Sequence, residues 1–338
     1  MDRKRIVFFE VEPWEQDFFK DKLSTSAVEL EFFNHRLTHQ NVDEASRADY
    51  LVSFIYSDLS HQILDKLRNL KGICTMSVGT NHIDMSEAAR RNIIVSNAST
   101  YGPNTIAEHA MALLLALSRK IIPSVERTRS GVYQYQELTG WDLLGKTIGI
   151  IGTGKIGAYL ARMAHGFSMR IVAYDPYPNK ELEEKFGVEY VSLPQLLSIS
   201  EVISLHVPLT DETKHLLGKE EFKKMKKGVV IINTARGGLI DVGALLEALS
   251  DGTVGGAGLD VLDDEALLKE EKEFFSPYFK LEDYQTALAE HRLMHHPKVI
   301  VTPHNAFNSK ESLKSILQTT VENIEGMLKG DPVNVVEK

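Results

Sequence analysis

The feature that most constrains the fold is the alternation of short apolar runs with segments of helical periodicity. In the first part of the chain the apolar runs are residues 5–9, 30–33, 50–55, 72–76 and 93–96. A second series follows at residues 147–151, 170–174, 202–205, 229–233, 256–260 and 299–302. Strands that alternate with helices predict a parallel sheet covered by helices on both faces. Two successive series predict an α/β chain with two doubly wound domains.

Length and composition agree with this class. The 338 residues suffice for two domains, since a domain commonly takes about 100–200 residues. With 43% hydrophobic and 25% charged residues the composition is that of a globular protein rather than a disordered one. The formal net charge of −9 argues against a nucleic-acid partner, although a local basic pocket for an anionic small molecule is compatible with it.

The chain carries a single cysteine, Cys74, so no internal disulfide can form and a reducing compartment is expected. Cys74 lies in the apolar run 72–76, a setting that favours a small buried strand residue over a nucleophile. The N-terminal apolar run ends at Glu10, too early for a signal sequence, and the longest run, 110–117, is far shorter than a membrane span. We therefore expect a cytoplasmic protein without a membrane partner.

A glycine motif stands at the junction of a predicted strand and helix. The sequence GTGKIG follows the run 147–151 and opens the helical segment 156–165. In a dinucleotide-binding unit Gly152 permits the tight turn, Gly154 lets the backbone approach a pyrophosphate, and Gly157 lets helix and strand pack closely. The helix N-terminus then offers N–H groups to the phosphates, with Lys155 either beside them or solvated, and Ile156 next to it.

An acid completes this pattern. Asp175 ends the following strand, about 20 residues beyond the glycines, where a carboxylate accepts hydrogen bonds from the ribose hydroxyls of the cofactor. The same carboxylate repels a 2′-phosphate, so the motif predicts NAD rather than NADP. A glycine-rich turn without a ligand is the alternative, and the joint presence of strand, glycines, helix and acid disfavours it.

Two helical segments indicate how the domains connect. Residues 104–119 are apolar nearly all round, so we expect a helix buried on several sides, either in a core or between domains or subunits. Residues 309–329 follow the second strand series and are free to return to the first domain. We therefore expect a substrate domain of residues 1–100 plus 308–338, an NAD-binding domain of residues 101–307, and a cleft between them.

Polar residues at the ends of the later strands indicate the chemistry, because function in doubly wound sheets gathers at the carboxyl ends of strands. These residues are His206, Arg236, Asp260 with Glu265 shortly after it, and His304. An arginine fork binds a carboxylate and polarises the adjacent carbonyl. A histidine exchanges the proton near neutral pH, and an acid on its other nitrogen orients it. The set predicts hydride transfer on a 2-hydroxy acid, with a nicotinamide as the hydride carrier.

The chain resembles the D-2-hydroxyacid dehydrogenase family, and within it the D-lactate dehydrogenase branch. The resemblance covers nearly the whole length and rests on seven ordered motifs: SVGTNHID, YGPNTIAEHA, GKTIGIIGTGKIG, ISLHVPLT, INTARGG, GLDVLDDE and VTPHNAF. It implies a flavodoxin-like substrate domain, a Rossmann NAD-binding domain and a homodimer. The apolar segment 104–119 also suggests a buried interface.

The resemblance also implies roles for individual residues. Arg236 is expected to bind and polarise the substrate, His304 to act as acid and base, and Glu265 to partner His304. The substrate pocket is further expected to include the backbone of Val78 and Gly79, and Tyr101. On the cofactor side the resemblance adds Val207, Pro208, Thr213, Thr234, Ala235 and Asp260. For two of these a simpler role is open, because Asp260 could cap a helix and Tyr101 could pack at the hinge.

The substrate is less constrained than the reaction. Asn81-His82 replaces the frequent Asp-Asn of the first motif, and Gly102 stands where serine is frequent, so both could reshape the substrate loop. A long segment between Glu265 and His304, as in the lactate branch, favours pyruvate and D-lactate. A larger 2-keto acid, glyoxylate or hydroxypyruvate is the alternative within the enzyme class. A non-enzymatic NAD-sensing protein of the same fold is the alternative outside it.

Histidines also cluster at the end of the predicted helix 282–294, where His291 and His295 are four residues apart and His296 follows. Zinc binding would need a third ligand, and none is evident. A solvated helix C-terminus, where histidine is favourable, explains the cluster better. We expect no metal.

Overall fold

The structure is a computed structural model that describes residues 3–98, 102–263 and 281–336. Clustering of its contacts divides the chain into two compact units, one of Met1–Gly102 with Ser309–Lys338 and one of Pro103–Asn308. In the described ranges, no helix has the length and apolar character needed to cross a bilayer.

The first unit is built on a five-stranded parallel sheet in the order β2-β1-β3-β4-β5. Its elements up to residue 98 are β1 (Lys4–Phe8), α1 (Pro13–Leu23), β2 (Val28–Phe32), β3 (Tyr50–Ser53), α2 (His61–Leu64), β4 (Gly72–Thr75), α3 (Met85–Arg90) and β5 (Ile94–Asn97). This strand order is the flavodoxin-like one. The four residues of β3 and of β4 are all buried, as expected for central strands of a sheet covered on both faces.

The second unit is built on a seven-stranded parallel sheet in the order β12-β11-β10-β9-β6-β7-β8. Its elements are α4 (Pro103–Ser118), α5 (Ile121–Arg129), β6 (Thr147–Ile151), α6 (Lys155–Gly166), β7 (Arg170–Tyr174), α7 (Lys180–Phe186), β8 (Glu189–Tyr190), α8 (Leu193–Ile199), β9 (Val202–Leu205), α9 (Lys219–Lys223), β10 (Val229–Asn233), α10 (Val242–Ser250), β11 (Val254–Leu259), α11 (Leu281–Met294) and β12 (Val299–Val301). The chain runs outward from β6 to β8, crosses back, and continues from β9 to β12. That reversal is the Rossmann arrangement, so the predicted α/β class with two doubly wound sheets is confirmed.

Helix α4 is a core helix of the second unit. It packs on β11 because that strand carries glycines where the helix needs space: a Cβ added to Gly258 would lie 2.9 Å from Cβ of Leu113. A Cβ on Gly256 would lie 3.5 Å from Cδ2 of Leu117. The helix therefore runs antiparallel to the strand, with successive turns of one helix face above successive outward positions of β11. The segment is thus buried in the core of this unit, as one of the two predicted alternatives required.

Helix α12 (Lys310–Lys329) belongs to the first unit. It begins at Ser309, whose hydroxyl accepts a hydrogen bond from Ser312 N, and ends at Gly330 in the left-handed conformation. It packs on β4, where Sδ of Met327 lies 3.8 Å from Sγ of the buried Cys74. Burial raises the pKa of Cys74 to about 12, so the thiol stays protonated and the sequence interpretation of a packed strand residue holds.

Candidate active site

The glycine turn between β6 and α6 has the geometry that its sequence predicts. Gly152 has φ +92°, and a Cβ on it would lie 2.7 Å from the carbonyl oxygen of His206. A Cβ on Gly157 would lie 2.0 Å from the carbonyl oxygen of Gly152, so helix and strand approach too closely for any side chain. Gly154 differs from both, because a Cβ there would have no atom within 4 Å. Gly152 and Gly157 are required by the fold, whereas Gly154 leaves open space at the helix N-terminus.

Asp175 is fixed beside this turn. Its Oδ2 accepts hydrogen bonds from N and Oγ1 of Thr153 at 2.7 and 3.1 Å. Its Oδ1 accepts one from Tyr177 N at 2.8 Å, and the hydroxyl of Tyr190 donates to Thr153 Oγ1 at 3.0 Å. The acid of the motif is therefore rigidly held against the glycine loop, at the edge where a ribose would lie next to the phosphates.

Other predicted cofactor residues frame the same edge. Lys155 begins α6 and is exposed, while Ile156 is half-buried against the core. After β9, Val207 packs on the core, and Thr213 donates from its Oγ1 to the carbonyl oxygen of Pro208 at 2.7 Å. The loop that follows β9 is thus closed by its own side chain and stands next to the glycine turn, since β6 and β9 are neighbours in the sheet.

The turn after β10 carries Arg236. The buried side chain of Asn233 accepts from Ala235 N at 3.0 Å and donates to the carbonyl oxygen of Arg236 at 2.8 Å, so one amide shapes the whole turn. Arg236 is half-buried, and its Nη1 donates to the carbonyl oxygen of Ala235 at 2.6 Å. Gly237 follows because a Cβ there would lie 2.0 Å from the carbonyl carbon of Leu262.

Two buried polar atoms at this edge have no hydrogen-bond partner within the described residues: Oγ1 of Thr234 and Nδ1 of His206. Buried polar atoms are normally paired with protein, water or a ligand, so these two are available to a bound partner at this edge. Together with the open space at Gly154 and the held carboxylate of Asp175, they fit a dinucleotide. Burial lowers the pKa of His206 to about 4, so its ring is neutral at pH 7.

Asp260 lies directly after β11 and is buried. Its Oδ1 accepts from Thr302 Oγ1 at 2.5 Å and from Asn305 N at 2.8 Å, and its Oδ2 accepts from Ala306 N at 2.8 Å. Burial raises the pKa of Asp260, but hydrogen bonds from His109, Thr302 and the two backbone N–H groups outweigh burial, and the pKa ends below its usual range. Asp260 is therefore a carboxylate that organises the loop after β12.

That loop carries His304. Its backbone N–H donates to the carbonyl oxygens of Asp260 and Thr302, both at 2.9 Å, and its φ is +51°. Non-glycine residues rarely adopt this left-handed conformation, and they do so where surrounding contacts hold them in it. The half-buried imidazole is thus presented from a backbone conformation that Asp260 and its partners maintain.

Sequence reasoning missed His109 and Thr302 in this arrangement. Nε2 of His109 lies 3.0 Å from Oγ1 of Thr302 and 3.4 Å from Oδ1 of Asp260. The available signal was a polar residue inside the apolar segment 104–119. Its partners Asp260 and Thr302, however, lie 151 and 193 positions further along the chain, so no local pattern connects them to it.

The predicted carboxylate-binding loop lies in the first unit, after β4. Asn97 Nδ2 donates to the carbonyl oxygen of Val78 at 2.8 Å, and Ser77 Oγ donates to that of Gly79 at 2.7 Å. In the described part of the chain the N–H groups of Val78 and Gly79 donate to no protein atom. The ring of His82, at the departure from the family motif, is half-buried, and desolvation lowers its pKa to about 4. Its carbonyl oxygen accepts from Leu59 N at 3.0 Å and so anchors the loop.

A half-buried acid, Glu10, shapes a neighbouring loop of the first unit. Glu10 follows β1 with φ +62°, and its carboxylate accepts hydrogen bonds from the N–H groups of Phe54, Tyr56 and Ser57 and from the Ser57 hydroxyl. Burial is the largest influence on the pKa of Glu10 and raises it despite these four hydrogen bonds.

Of the predicted site residues, Glu265 and Tyr101 lie outside the described residues. The structure brings the residues after β6, β9, β10, β11 and β12 to one edge of one sheet, because these five strands are consecutive neighbours. Among the described residues no three metal-ligating side chains meet. The rings of His291 and His295 stack on each other at 4.2 Å between centroids.

Comparison with known proteins gives a consistent result. The family profile described as "D-isomer specific 2-hydroxyacid dehydrogenase, NAD binding domain" matches residues 111–306. D-lactate dehydrogenase of Escherichia coli (strain K12) is 37% identical over 329 residues, which cover 97% of this chain and 98% of that protein.

Solved structures agree. The pyruvate reductase of Chlamydomonas reinhardtii superposes with a TM-score of 0.87 at 33% identity and 98% coverage of both chains. D-lactate dehydrogenase of Aquifex aeolicus, complexed with NAD and lactic acid, superposes with a TM-score of 0.86 at 34% identity and 96% coverage of both.

Proposed function

The chain belongs to the D-isomer specific 2-hydroxyacid dehydrogenases, and from this premise we propose that its substrate pair is pyruvate and D-lactate. As an NAD-dependent D-2-hydroxyacid dehydrogenase it transfers a hydride reversibly between NADH and a small 2-keto acid. The choice of pyruvate is supported by the substrates named for the E. coli and Chlamydomonas proteins. Larger 2-keto acids, glyoxylate and hydroxypyruvate are the competing substrates.

The observation that carries the assignment of roles is the shared edge of the second sheet, where Arg236 and His304 flank Asp260 on consecutive strands. We assign Arg236 to the substrate: its guanidinium binds the carboxylate in a two-point contact and polarises the neighbouring carbonyl. We assign the N–H groups of Val78 and Gly79 to the same carboxylate and Tyr101 to the pocket wall. The first unit is, on this proposal, the substrate domain.

We assign His304 to proton transfer at the substrate oxygen. In the reducing direction its imidazolium donates a proton to the carbonyl oxygen, and in the oxidising direction the neutral ring accepts the hydroxyl proton. Glu265 is the partner that favours the protonated ring and fixes its orientation. When bound, the nicotinamide supplies the hydride. The chain's own task is to hold the carbonyl, the proton donor and the cofactor in register.

We assign the second unit to NAD. Its glycine turn, with Gly152, Gly154, Lys155, Ile156 and Gly157, receives the pyrophosphate, and Asp175 receives the adenine ribose. The further contacts proposed are Val207, Pro208, Thr213, Thr234, Ala235 and Asp260. Changing Asp175 to Asn keeps an oxygen for Thr153 N but removes the charge that repels a 2′-phosphate. We expect a reduced ratio of kcat/KM for NADH over NADPH, and an unchanged ratio would remove Asp175 from this role.

The experiment for the activity follows NADH oxidation with pyruvate, a branched six-carbon 2-keto acid, glyoxylate and hydroxypyruvate. Pyruvate is expected to give the highest kcat/KM. His304→Gln is expected to lower kcat by about 10²–10⁴-fold, the usual contribution of a general acid, while leaving NADH affinity unchanged. His165→Gln, on α6, is the matched control. Tight NADH binding without turnover of any keto acid would refute the proposed dehydrogenase activity and favour an NAD-sensing protein.

We further propose a homodimer that uses α5. This helix buries none of its residues, and its exposed side chains include Ile121, Ile122 and Val125 on adjacent turns. Tyr133 and Tyr135, just beyond it, are 92% and 83% exposed. Such a patch is typical of a protein interface. Sedimentation of Val125→Glu should show a monomer, and Leu288→Glu, at an exposed apolar position on α11, should stay dimeric. A monomeric wild-type protein would refute the proposal.

We place the protein in the cytoplasm. The support is Cys74, which is buried and reduced and is the chain's single cysteine. Fractionation of the producing cells tests this, and recovery of the protein in the membrane or extracellular fraction would refute it.

A further inference from the structure

The position of His109 follows from the packing of α4 on β11. Leu117 lies above Gly256 and Leu113 above Gly258, so the next position on this helix face, four residues earlier, lies above residue 260. That position is His109, the polar residue of an otherwise apolar row. Its ring is mostly buried, with 21% of the side chain exposed.

The hydrogen atoms in this cluster can be assigned from its donors and acceptors. Thr302 has one hydroxyl hydrogen, and the 2.5 Å contact with Asp260 Oδ1 uses it. The Thr302 oxygen is then the acceptor for the nitrogen 3.0 Å away, Nε2 of His109. His109 therefore carries its hydrogen on Nε2 and shares it between Thr302 and Asp260, which is 3.4 Å away.

The same two acceptors determine the backbone of the loop after β12. Asp260 binds Thr302, Asn305 and Ala306, and its carbonyl oxygen binds the N–H of His304. His304 needs such contacts, because φ +51° is unfavourable for a residue with a side chain. A donor that fixes Thr302 and Asp260 thus fixes the conformation from which the imidazole of His304 projects.

We propose that His109 is a positioning residue for the reaction: its Nε2–H holds Thr302 and Asp260, and through them it keeps His304 in register with the substrate carbonyl. The inference rests on the proposed acid/base role of His304. His109 itself contacts neither the substrate nor the reacting atoms on this proposal. A small displacement of His304 is sufficient for an effect, since a shift of about 1 Å at a reacting group can cost about 10²-fold in rate.

The chain allows a matched pair of variants. Gln places an N–H donor near the position of the histidine Nε2, whereas Met has a similar length and no donor, and both favour helix. For His109→Met we expect kcat with pyruvate to fall by about 10–100-fold, with KM for NADH changed by less than about 2-fold because the glycine turn is untouched. His109→Gln should recover kcat to within about 3-fold of wild type. His165→Met, on α6, is the control and should behave as wild type.

Two further readouts separate positioning from a purely structural role. With NADH deuterated at the transferred position, the primary isotope effect on kcat should rise in His109→Met, because a displaced proton donor slows the chemical step itself. Amide hydrogen exchange should accelerate at Asn305 and Ala306 in the same variant, without any turnover being needed. A loss of thermal stability alone leaves the isotope effect unchanged.

The outcomes are distinct. Unchanged kcat, isotope effect and exchange in His109→Met overturn the inference, and so does equal impairment of the Met and Gln variants, since the donor would then be irrelevant. A wild-type protein that reduces no 2-keto acid overturns the proposed function and this inference with it. If the wild type reduces a 2-keto acid and His109→Met does so with unchanged kcat, isotope effect and amide exchange, the inference about His109 is overturned and the proposed function stands.

Discussion

Glu10 and Asp260 occupy equivalent places in the two units. Each follows the carboxyl end of a strand, and each carboxylate accepts a hydroxyl and at least two backbone N–H groups from the loop after a neighbouring strand. A left-handed backbone conformation accompanies each carboxylate. In the first unit Glu10 itself adopts it, and in the second unit His304 does, whose N–H donates to the carbonyl oxygen of Asp260. The two units thus use one device to shape a loop at the edge of a parallel sheet.

The two carboxyl groups nevertheless shift in opposite directions. Burial is the leading influence on both; it raises the pKa of Glu10 and is outweighed at Asp260, whose pKa is lowered. Each carboxylate accepts four hydrogen bonds: Glu10 from three backbone N–H groups and a hydroxyl, and Asp260 from two backbone N–H groups, a hydroxyl and His109. Hydrogen bonds to a charged group contribute about 1.5–3 kcal/mol, so the difference of one donor among four can decide the direction of the pKa shift. The hydrogen bond from His109 is the largest cause that lowers the pKa of Asp260, and in the described part of the chain no imidazole is among the hydrogen-bond donors to Glu10.

Removing the anion should have the largest effect. Asp260→Ala leaves several buried donors without an acceptor, at a cost of about 1–3 kcal/mol each. We expect the free energy of unfolding to fall by about 3–5 kcal/mol and kcat to fall by about 10²-fold through displacement of His304. Urea unfolding and NADH oxidation measure the two effects, with the exposed Glu184→Ala as control. Near-wild-type kcat in a folded variant would show that the loop keeps its shape without Asp260.

The corresponding change in the first unit should separate stability from catalysis. Glu10→Ala removes the acceptor for residues 54–57 and should lower the free energy of unfolding by about 2–3 kcal/mol. At saturating keto acid we expect kcat within about 3-fold of wild type, because the hydrogen-bond partners of Glu10 all lie in that loop. If kcat falls as far as in Asp260→Ala, the loops held by Glu10 and by Asp260 do not differ in their importance for catalysis.

The pH dependence of stability should expose the raised pKa of Glu10. The folded protein binds the Glu10 proton more tightly than the unfolded chain does. The stabilisation that comes from this tighter proton binding is therefore fully present below pH 4.5, the ordinary pKa of a glutamate. It is lost as the pH rises through the pKa of Glu10 in the folded protein. Glu10→Gln has no such proton. As the pH rises from 4.5, the melting temperature of the wild type should therefore fall relative to that of Glu10→Gln. A difference that does not vary with pH would contradict the raised pKa.

The smallest effect is expected from making Asp260 resemble Glu10. For a lowered pKa the stabilisation is present above 3.8, the ordinary pKa of an aspartate, and is lost as pH falls through the folded pKa. His109→Met removes one cause of the lowering, so its cost, about 1 kcal/mol, should be constant above about pH 4 and shrink in stronger acid. Urea unfolding across this acidic range measures the cost. A cost that grows in acid would assign the lowered pKa to the other donors.

Much of this arrangement could be predicted from sequence because it depends on local pattern. Strands of two to six residues, with polar residues directly after them, give the sheet edge, and the alternation of elements gives the confirmed parallel, doubly wound sheets. The contact of Asp175 with Thr153 spans 22 residues, within one strand–helix–strand unit. Such short-range relations survive in any chain with the same motif.

The hydrogen bonds that converge on Asp260 and Glu10 could not be predicted, because they depend on strand and helix pairings that no local pattern encodes. Asp260 meets Thr302 only because β11 pairs with β12 in the register that aligns Leu259 with Val301. His109 reaches both only because glycines in β11 let α4 approach closely. In the sequence Glu10 merely marks the end of an apolar run, although four donors converge on it.

The open space around Gly154 has a practical consequence for anyone who engineers this chain. An alanine there fits the backbone angles, φ −61° and ψ −163°, and meets no protein atom, whereas an alanine at Gly157 would overlap a carbonyl oxygen. A heat-challenge screen on the cofactor-free protein would accept the first exchange and reject the second. It would therefore select, among its most tolerated variants, one whose methyl group occupies the place proposed for the pyrophosphate, so such a library should be screened with NADH present.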